Sequence, residues 1–147
     1  MTISAPTQEV ASQLERECPG CVIESDDKTI IIKPESLLIA ARFLKNTLEL
    51  EFDYLNYITA VDNKKYFLVV YNLVSLKNNV SLVLKTRCDD RSNPAVPSLV
   101  ELWKGAALQE REIFDLMGIS FDKHPNMKRI FLWDGFTGHP LRKDFTL

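Results

Sequence analysis

The chain has 147 residues, of which 46% are hydrophobic and 26% charged, with a formal net charge of −2 and a pI near 5.7. These values are ordinary for one soluble globular domain, and they exclude a general nucleic-acid binder, which would carry a basic surface. No apolar run approaches the ~18 residues that span a bilayer. We expect no secretory signal, and three cysteines do not form a disulfide framework, which favours a reducing compartment.

The first third of the chain shows two helical patterns separated by a hairpin pattern. Apolar residues at helical spacing predict a first helix over 8–17, which Pro19-Gly20 ends. Two short apolar stretches, 22–24 and 29–33, flank a polar turn and predict a hairpin. A second helix is predicted to begin at Pro34 and to run to about residue 48.

Three further strands are predicted in the middle of the chain. They cover 57–61, the near-continuous apolar run 66–74, and the alternating stretch 80–87. An apolar run of that kind is typical of a strand buried on both faces. Helices at both ends of a group of hairpin-linked strands predict an α+β two-layer domain with a largely antiparallel sheet.

A long helix is predicted over 98–117, after a polar connector. Ser98 followed three residues later by Glu101 matches a capping box. Gly105 is a weak point where the helix can bend or briefly break, at about 1 kcal/mol relative to Ala. Gly118 suits the left-handed residue that ends a helix.

Glu110 lies on the apolar stripe of this helix, where a carboxylate is unexpected. Two interpretations stay open: the side chain reaches water at the rim, or it pairs with a cation of the following residues, such as Arg129 or Arg142. Arg111 and Asp115 are four residues apart and are predicted to form a surface pair.

The closing segment, residues 118–147, follows a core domain predicted over 1–117. Eleven of its 30 residues are apolar, too many for a disordered tail, yet Gly and Pro interrupt it too often for a helix or a strand. It has five Lys and Arg against three Asp, so it can fold back on its acidic core. Its aromatic and Arg residues are typical of protein interfaces, and we expect much of it to contact another protein.

The second half of the chain carries a spaced set of charged, glycine and His-Pro residues. In order they are Glu110, Arg111, Glu112, Asp115, Gly118, His124, Pro125, Arg129, Gly138, His139, Pro140, Leu141, Arg142, Lys143 and Asp144. This pattern resembles the signature of the 30-kDa subunit of respiratory complex I, the C subunit of bacterial NADH:quinone oxidoreductase. The stretches 58–62 and 96–99 resemble the family as well.

The resemblance implies a peripheral-arm subunit of a proton-translocating enzyme, on the cytoplasmic side of the cell membrane. Such a subunit is expected to dock on the 49-kDa-like subunit and its neighbours, and to support assembly of the quinone-reducing module. No cofactor is expected in this chain; Fe–S clusters, flavin and quinone are expected on partner subunits. Membrane-bound energy-converting hydrogenases and ferredoxin- or deazaflavin-driven dehydrogenases use homologous subunits, so they remain an alternative.

A different class of function is a small dithiol oxidoreductase that uses Cys18 and Cys21. Here the pair follows a helix instead of beginning one, so the helix dipole does not activate the first thiol, and a simple turn is favoured. A zinc site would need two more ligands, and Cys88 offers one. His124 and His139 are each predicted to hydrogen-bond a carbonyl or carboxylate, and no catalytic residue is expected.

Overall fold

The computed structural model describes residues 2–146, and within them it shows eight strands and three helices. In chain order they are β1 (Ile3–Ser4), α1 (Thr7–Glu17), β2 (Val22–Ser25), β3 (Thr29–Ile32), α2 (Leu37–Asn46), β4 (Tyr54–Asp62), β5 (Phe67–Ser75), β6 (Val80–Cys88), β7 (Ala95–Pro97), α3 (Ala106–Met117) and β8 (Ser120–Asp122). A short 3-10 turn, Pro34–Ser36, leads into α2. The predicted end of the closing segment, Leu147, lies outside the described residues.

The main sheet is open and has the strand order β2-β3-β6-β5-β4. The short strand β1 also pairs with β6, next to the residues of β6 that pair with β3. The pairs β2–β3, β4–β5 and β5–β6 are antiparallel, whereas β6 runs parallel to β1 and β3. Helices pack on this sheet, which confirms the predicted α+β class with a largely antiparallel sheet. Strand β5 is the central partner of β4 and β6 and is buried along almost its whole length, as the near-continuous apolar run 66–74 predicted.

Three predicted boundaries in the first half of the chain are wrong. Helix α2 begins at Leu37 instead of Pro34, because residues Pro34–Ser36 form a 3-10 turn. Strand β4 begins at Tyr54, three residues before the predicted start, because a bulge between Leu55 and Tyr57 hides the alternation of side chains. Helix α2 ends at Asn46, before Leu48, which is exposed. The chain then turns so that Phe52 can enter the core.

The predicted helix over 98–117 is also wrong in its first half. Helix α3 begins only at Ala106, and Gly105 is its N-cap residue. Between Ser98 and Gly105 the chain forms short turns, in which Leu99 O accepts the N–H groups of Leu102 and Trp103, both at 3.0 Å. Ser98 therefore does not start a helix, and the capping box is not formed.

The first residues of the closing segment belong to the core. Ile119 and Phe121 are buried, and strand β8 pairs in parallel with β7. The prediction of no strand in the closing segment is therefore wrong at Ser120–Asp122. Residues Ser120–Asp122 form a strand because their backbone groups can pair with those of β7. The residue pattern of the segment alone does not show that β7 lies beside it. Within residues 2–146, no helix has the length and apolarity to cross a membrane.

Candidate functional site

The C-terminal end of α3 is the place where most of the predicted site residues meet. Gly118 ends the helix in the left-handed conformation, with φ 75°, and its N–H donates to Phe114 O at 2.9 Å. This confirms the predicted helix end. The last carbonyl groups of a helix lack partners inside the helix and need donors from elsewhere.

The closing segment supplies those donors. The hydrogen bonds join His139 Nδ1 to Asp115 O (3.0 Å), the Leu141 N–H to Leu116 O (2.9 Å) and Arg142 Nε to Met117 O (2.6 Å). A guanidinium at this position also interacts favourably with the negative end of the helix dipole. Residues 139–142 therefore act as a cap on α3. The prediction that His139 hydrogen-bonds a carbonyl or a carboxylate is confirmed, and the partner is a carbonyl.

The carboxylate of Asp115 holds an earlier part of the same segment. It is fully buried, and its Oδ2 accepts the backbone N–H groups of Ile130, Phe131 and Leu132 at 3.2, 2.7 and 3.0 Å. Its Oδ1 accepts a hydrogen bond from Arg129 Nη1 at 2.8 Å. Burial alone would raise the pKa of Asp115, but these donors outweigh burial and hold the pKa below its usual value.

Arg129 extends this cluster to the next turn of the chain. Its Nη1 also donates to Asp115 O at 3.0 Å, and its Nη2 donates to Phe136 O at 3.1 Å and to Gly138 O at 2.9 Å. The guanidinium is mostly buried. Arg129 therefore fixes residues 136–138 against α3, directly before the cap that begins at His139.

Arg111 does not pair with Asp115, so that prediction is wrong. The side chain of Arg111 donates instead to Lys128 O at 3.1 Å and to Arg129 O at 3.0 Å. Asp115 lies on the buried side of α3, where its carboxylate satisfies three backbone N–H groups that have left water. A surface pair with Arg111 would leave those N–H groups without this acceptor.

Glu110 is fully buried, and neither predicted interpretation is correct. Its Oε1 accepts a hydrogen bond from Ser98 Oγ at 2.6 Å, and its Oε2 accepts the Leu99 N–H at 2.8 Å. It therefore joins α3 to the chain leaving β7 and contacts neither water nor Arg129 or Arg142. Burial raises the pKa of Glu110 to about 7, while the hydrogen bonds from Leu99 and Ser98 oppose the shift.

Replacing Glu110 by Gln is expected to remove a pH dependence of stability. The pKa of Glu110 is higher in the folded chain than in the unfolded chain, so the protonated form of Glu110 stabilises the fold. This stabilisation is fully present below about pH 4.5 and is lost as pH rises through about 7. The wild-type chain should lose on the order of 2–3 kcal/mol relative to Glu110→Gln between pH 5 and 8. Urea unfolding across that range measures the difference, and parallel curves for the two proteins would contradict the expectation.

Buried Asp62 and partly buried Arg91 form a second ion pair, close to residues 143 and 144. Asp62 accepts two hydrogen bonds from Arg91, at 2.6 and 3.1 Å, and the backbone N–H groups of Lys64 at 2.7 Å and Lys143 at 2.8 Å. Arg91 holds the pKa of Asp62 well below its usual range; the Lys143 and Lys64 donors add to this, and burial opposes it. The predicted residue Lys143 is thus held through its backbone.

Neither Asp62 nor Arg91 was predicted as a site residue. From the sequence, Asp62 is only the residue that ends a predicted strand and the last residue of the stretch 58–62, which resembles the family. Arg91 lies in a connector with no periodic pattern. Arg91 Nη2 also lies 3.4 Å from a carboxylate oxygen of Asp144, so the predicted residue Asp144 joins this second cluster.

The other predicted residues lie around these two clusters. His124 Nδ1 accepts the Asn126 N–H at 2.9 Å, so its Nε2 carries the proton and donates to Ala107 O at 2.9 Å. The prediction that His124 hydrogen-bonds a carbonyl or a carboxylate is confirmed. Glu112 and Pro125 are exposed, and Pro140 is half-buried.

Replacing Gly118 by Ala is expected to destabilise the cap. A Cβ there would lie 2.6 Å from both Arg142 Nη2 and His139 Cδ2, and the positive φ is unfavourable for Ala. We expect the free energy of unfolding to fall by about 2 kcal/mol in urea titrations. Gly105→Ala, where a Cβ would meet no atom within 4 Å, is the matched control. Equal effects of the two substitutions would contradict this role of Gly118.

Three large apolar side chains of the closing segment stay exposed after this folding. This apolar trio consists of Phe131, Trp133 and Leu141, which are 63%, 69% and 59% exposed. The Trp133 ring is edge-on to Phe136, with centroids 5.1 Å apart. The closing segment therefore satisfies much of its polar chemistry within the chain and leaves large apolar groups in contact with water.

The described residues show no grouping suited to a metal. Among residues 2–146, no three His, Cys, Asp or Glu side chains lie together as metal ligands would. Cys18, Cys21 and Cys88 are free thiols, and Cys18 is the C-cap residue of α1, as the sequence predicted for a pair that follows a helix. The clusters at Asp115 and Asp62 bind backbone groups and guanidinium ions of this chain.

Comparison with known proteins identifies the family. The family described as the respiratory-chain NADH dehydrogenase 30 Kd subunit matches residues 30–147. The chain belongs to this family. The matched stretch contains Asp62, Arg91 and every predicted site residue from Glu110 to Asp144, so the resemblance inferred from the sequence is confirmed.

Relatives from bacteria and fungi extend this result. The C subunit of the NADH-quinone oxidoreductase of Roseiflexus sp. is 39% identical over 145 residues, covering 94% of this chain and 83% of the relative. The Moorella thermoacetica protein of the same name is 40% identical, covering 92% of each chain. The NADH-ubiquinone oxidoreductase 30.4 kDa subunit of Neurospora crassa is 42% identical, covering 83% of this chain and 44% of the relative.

A solved structure shares the fold of the chain. It is a chain of the membrane-bound sulfane sulfur reductase, an archaeal respiratory membrane complex. The TM-score is 0.75, and the match covers 95% of this chain and 85% of that chain, at 22% identity. The two chains therefore share the α+β fold.

Proposed function

We propose that this chain is a cofactor-free peripheral-arm subunit of a proton-translocating NADH:quinone oxidoreductase. It docks on the 49-kDa-like subunit and supports assembly of the quinone-reducing module, on the cytoplasmic side of the cell membrane, which it reaches only through its partners. The observation that carries this proposal is the closing segment, which is fixed from inside by Asp115 and Asp62 while its apolar trio stays exposed.

The internal hydrogen bonds explain how such a segment could bind a partner with little loss of entropy. A disordered tail would have to be ordered on binding, at a cost in affinity. In this chain the side chains of Arg129, Arg142 and His139 already hydrogen-bond carbonyl groups, so the backbone of residues 129–142 is held in one conformation before binding. Exposed Trp and Phe side chains on a preorganised backbone are the kind of groups that dominate the binding energy of interfaces.

The electron donor is proposed from the relatives. Those at about 40% identity that cover most of this chain are named as subunits of NADH-quinone oxidoreductases. This favours an NADH-driven complex over a hydrogenase-like or ferredoxin-driven one, whereas the shared fold of the sulfane sulfur reductase chain does not distinguish them. Flavin, Fe–S clusters and quinone are proposed to lie on the partner subunits.

Substitution of the apolar trio tests this proposal. Changing Phe131, Trp133 and Leu141 together to Ser should lower the amount of 49-kDa-like subunit that co-purifies with the tagged chain by at least about tenfold. The contacts with Asp115 use the backbone of residue 131, so the fold should be kept, and urea unfolding checks this. Substitution is preferred to truncation at 118 because truncation would remove the buried residues Ile119 and Phe121.

The matched control changes three exposed apolar residues outside the closing segment. Ile23, Leu48 and Leu76 are comparably exposed, and their replacement by Ser should leave co-purification at the wild-type level. If the trio variant folds and still co-purifies like the wild type, the trio is not the docking surface. Equal losses in both variants would show that the binding is nonspecific and would also contradict the proposal.

A further inference from the structure

We propose that Cys18 and Cys21 are a site of reversible oxidation, at which a small-molecule disulfide of the glutathione type converts the two thiols into an intramolecular disulfide. The site lies at the junction of α1 and β2, before residue 30, where the family match begins. It is independent of the proposed docking role, which uses the other end of the chain.

The backbone between the two cysteines forms a tight turn that suits a disulfide. The Cys21 N–H donates to Cys18 O at 3.1 Å, and Gly20 has the positive φ of 83° that the third residue of a type II turn requires. Such a turn keeps the Cα atoms of its first and fourth residues within about 7 Å, which overlaps the separation found in disulfides. Pro19 occupies the second position, where its fixed φ is favourable.

Glu15 fixes the same turn from the side of the helix. Its Oε1 accepts the Gly20 N–H at 2.6 Å, and its Oε2 accepts the Val22 N–H at 3.2 Å. The Cys18 N–H donates to Leu14 O at 2.8 Å, which ties the first cysteine to the end of α1. These contacts involve backbone N–H groups and the Glu15 carboxylate, so a disulfide would keep them, and it would break only the weak hydrogen bond from Cys21 Sγ to Leu14 O at 3.6 Å.

The two thiols differ in access, which sets the order of the reaction. Cys18 is partly exposed, whereas Cys21 is almost completely buried. The Cys18 thiolate attacks the small-molecule disulfide, forming a mixed disulfide and releasing one small thiolate. The Cys21 thiolate then attacks the Cys18 sulfur and releases the second. Overall, two protein thiols lose two protons and two electrons, and one small disulfide is reduced to two thiols.

The environment of the thiols favours a stable disulfide over a catalytic one. Burial, and then the neighbouring Cys18, raise the pKa of Cys21 to about 11. Cys18 lies at the C-terminal end of a helix, where the dipole does not stabilise a thiolate. Strongly oxidising dithiols owe that property to a stabilised reduced form, and this stabilisation is missing here. The disulfide should therefore form slowly and persist, linking α1 to β2 covalently.

Equilibration of the full chain with glutathione tests the site. The protein is incubated in mixtures of reduced and oxidised glutathione, quenched with acid, alkylated and digested with trypsin. Cleavage after Arg16 and Lys28 gives one peptide that contains both cysteines, while Cys88 falls in another. We expect the first peptide to resist alkylation and to be about 2 Da lighter, whereas Cys88 is alkylated.

Two comparisons make the result decisive. The equilibrium constant for the intramolecular disulfide should be at least about tenfold larger in the native chain than in the chain unfolded by urea. Replacing Gly20 by Val, which keeps both thiols but disfavours the positive φ, should lower it. A constant that is equal or smaller in the native chain, or a product that is only the mixed disulfide with glutathione, would overturn the proposal.

Discussion

Replacing Asp115 by Ala is expected to lower the free energy of unfolding by about 3–5 kcal/mol. The substitution removes the carboxylate that accepts the N–H groups of Ile130, Phe131 and Leu132, and it leaves the mostly buried Arg129 guanidinium without its ion-pair partner. Urea unfolding of the purified chain measures the loss. Amide exchange of residues 130–132 should accelerate as well, because these groups lose their acceptor.

Glu112→Ala is the matched control for this experiment. Glu112 lies on the same helix and is exposed, so its replacement should change the free energy of unfolding by no more than about 0.5 kcal/mol. A loss below about 1 kcal/mol for Asp115→Ala would show that the cluster does not hold the closing segment.

Replacing Asp62 by Asn is expected to cost about 2–3 kcal/mol near neutral pH. Asn keeps the size of the side chain but loses the charge that faces Arg91 and one of the oxygens that accept hydrogen bonds. The loss is expected to appear in urea unfolding and in faster exchange of the Lys143 amide. Asp89→Asn, at an exposed ion pair with Arg87, should cost less than about 1 kcal/mol.

Acid unfolding gives a second measure of Asp62. The pKa of Asp62 is lower in the folded chain than the value of 3.8 in the unfolded chain, so the ionised carboxylate stabilises the fold. This stabilisation is present above pH 3.8 and is lost as pH falls toward the pKa of the folded chain. The wild-type chain should therefore lose stability more steeply than Asp62→Asn below pH 4. An equally steep loss in both proteins would mean that the carboxylate of Asp62 is not stabilised by Arg91.

The sequence predicts most of the sheet and helices because those patterns are local. The first helix was placed within one residue of α1, and the apolar run 66–74 corresponds to the buried strand β5. The left-handed end at Gly118 follows from the residue type itself. The sequence also predicts that His124 and His139 each hydrogen-bond a carbonyl or a carboxylate, but the actual partners, Ala107 O and Asp115 O, are 17 and 24 residues away and follow from the fold.

The clusters of the site could not be predicted because their partners are distant in sequence. Asp115 binds residues 14–17 positions later, and Asp62 binds the Lys143 N–H 81 positions away. Only the tertiary path decides which donors meet a buried carboxylate. Helical spacing placed Glu110 on the buried side of α3, but not beside Ser98, because the chain before α3 was wrongly predicted to be helical.

Amide hydrogen exchange of the isolated chain, followed by NMR, tests most directly whether the closing segment is held from inside. The amides of Ile130, Phe131, Leu132, Leu141 and Lys143 donate to Asp115, Leu116 and Asp62. We predict that they exchange at least about tenfold more slowly than in an unfolded peptide, although faster than the amides of β5. Exchange at the rate of an unfolded peptide would contradict the fixed path on which the proposed docking depends.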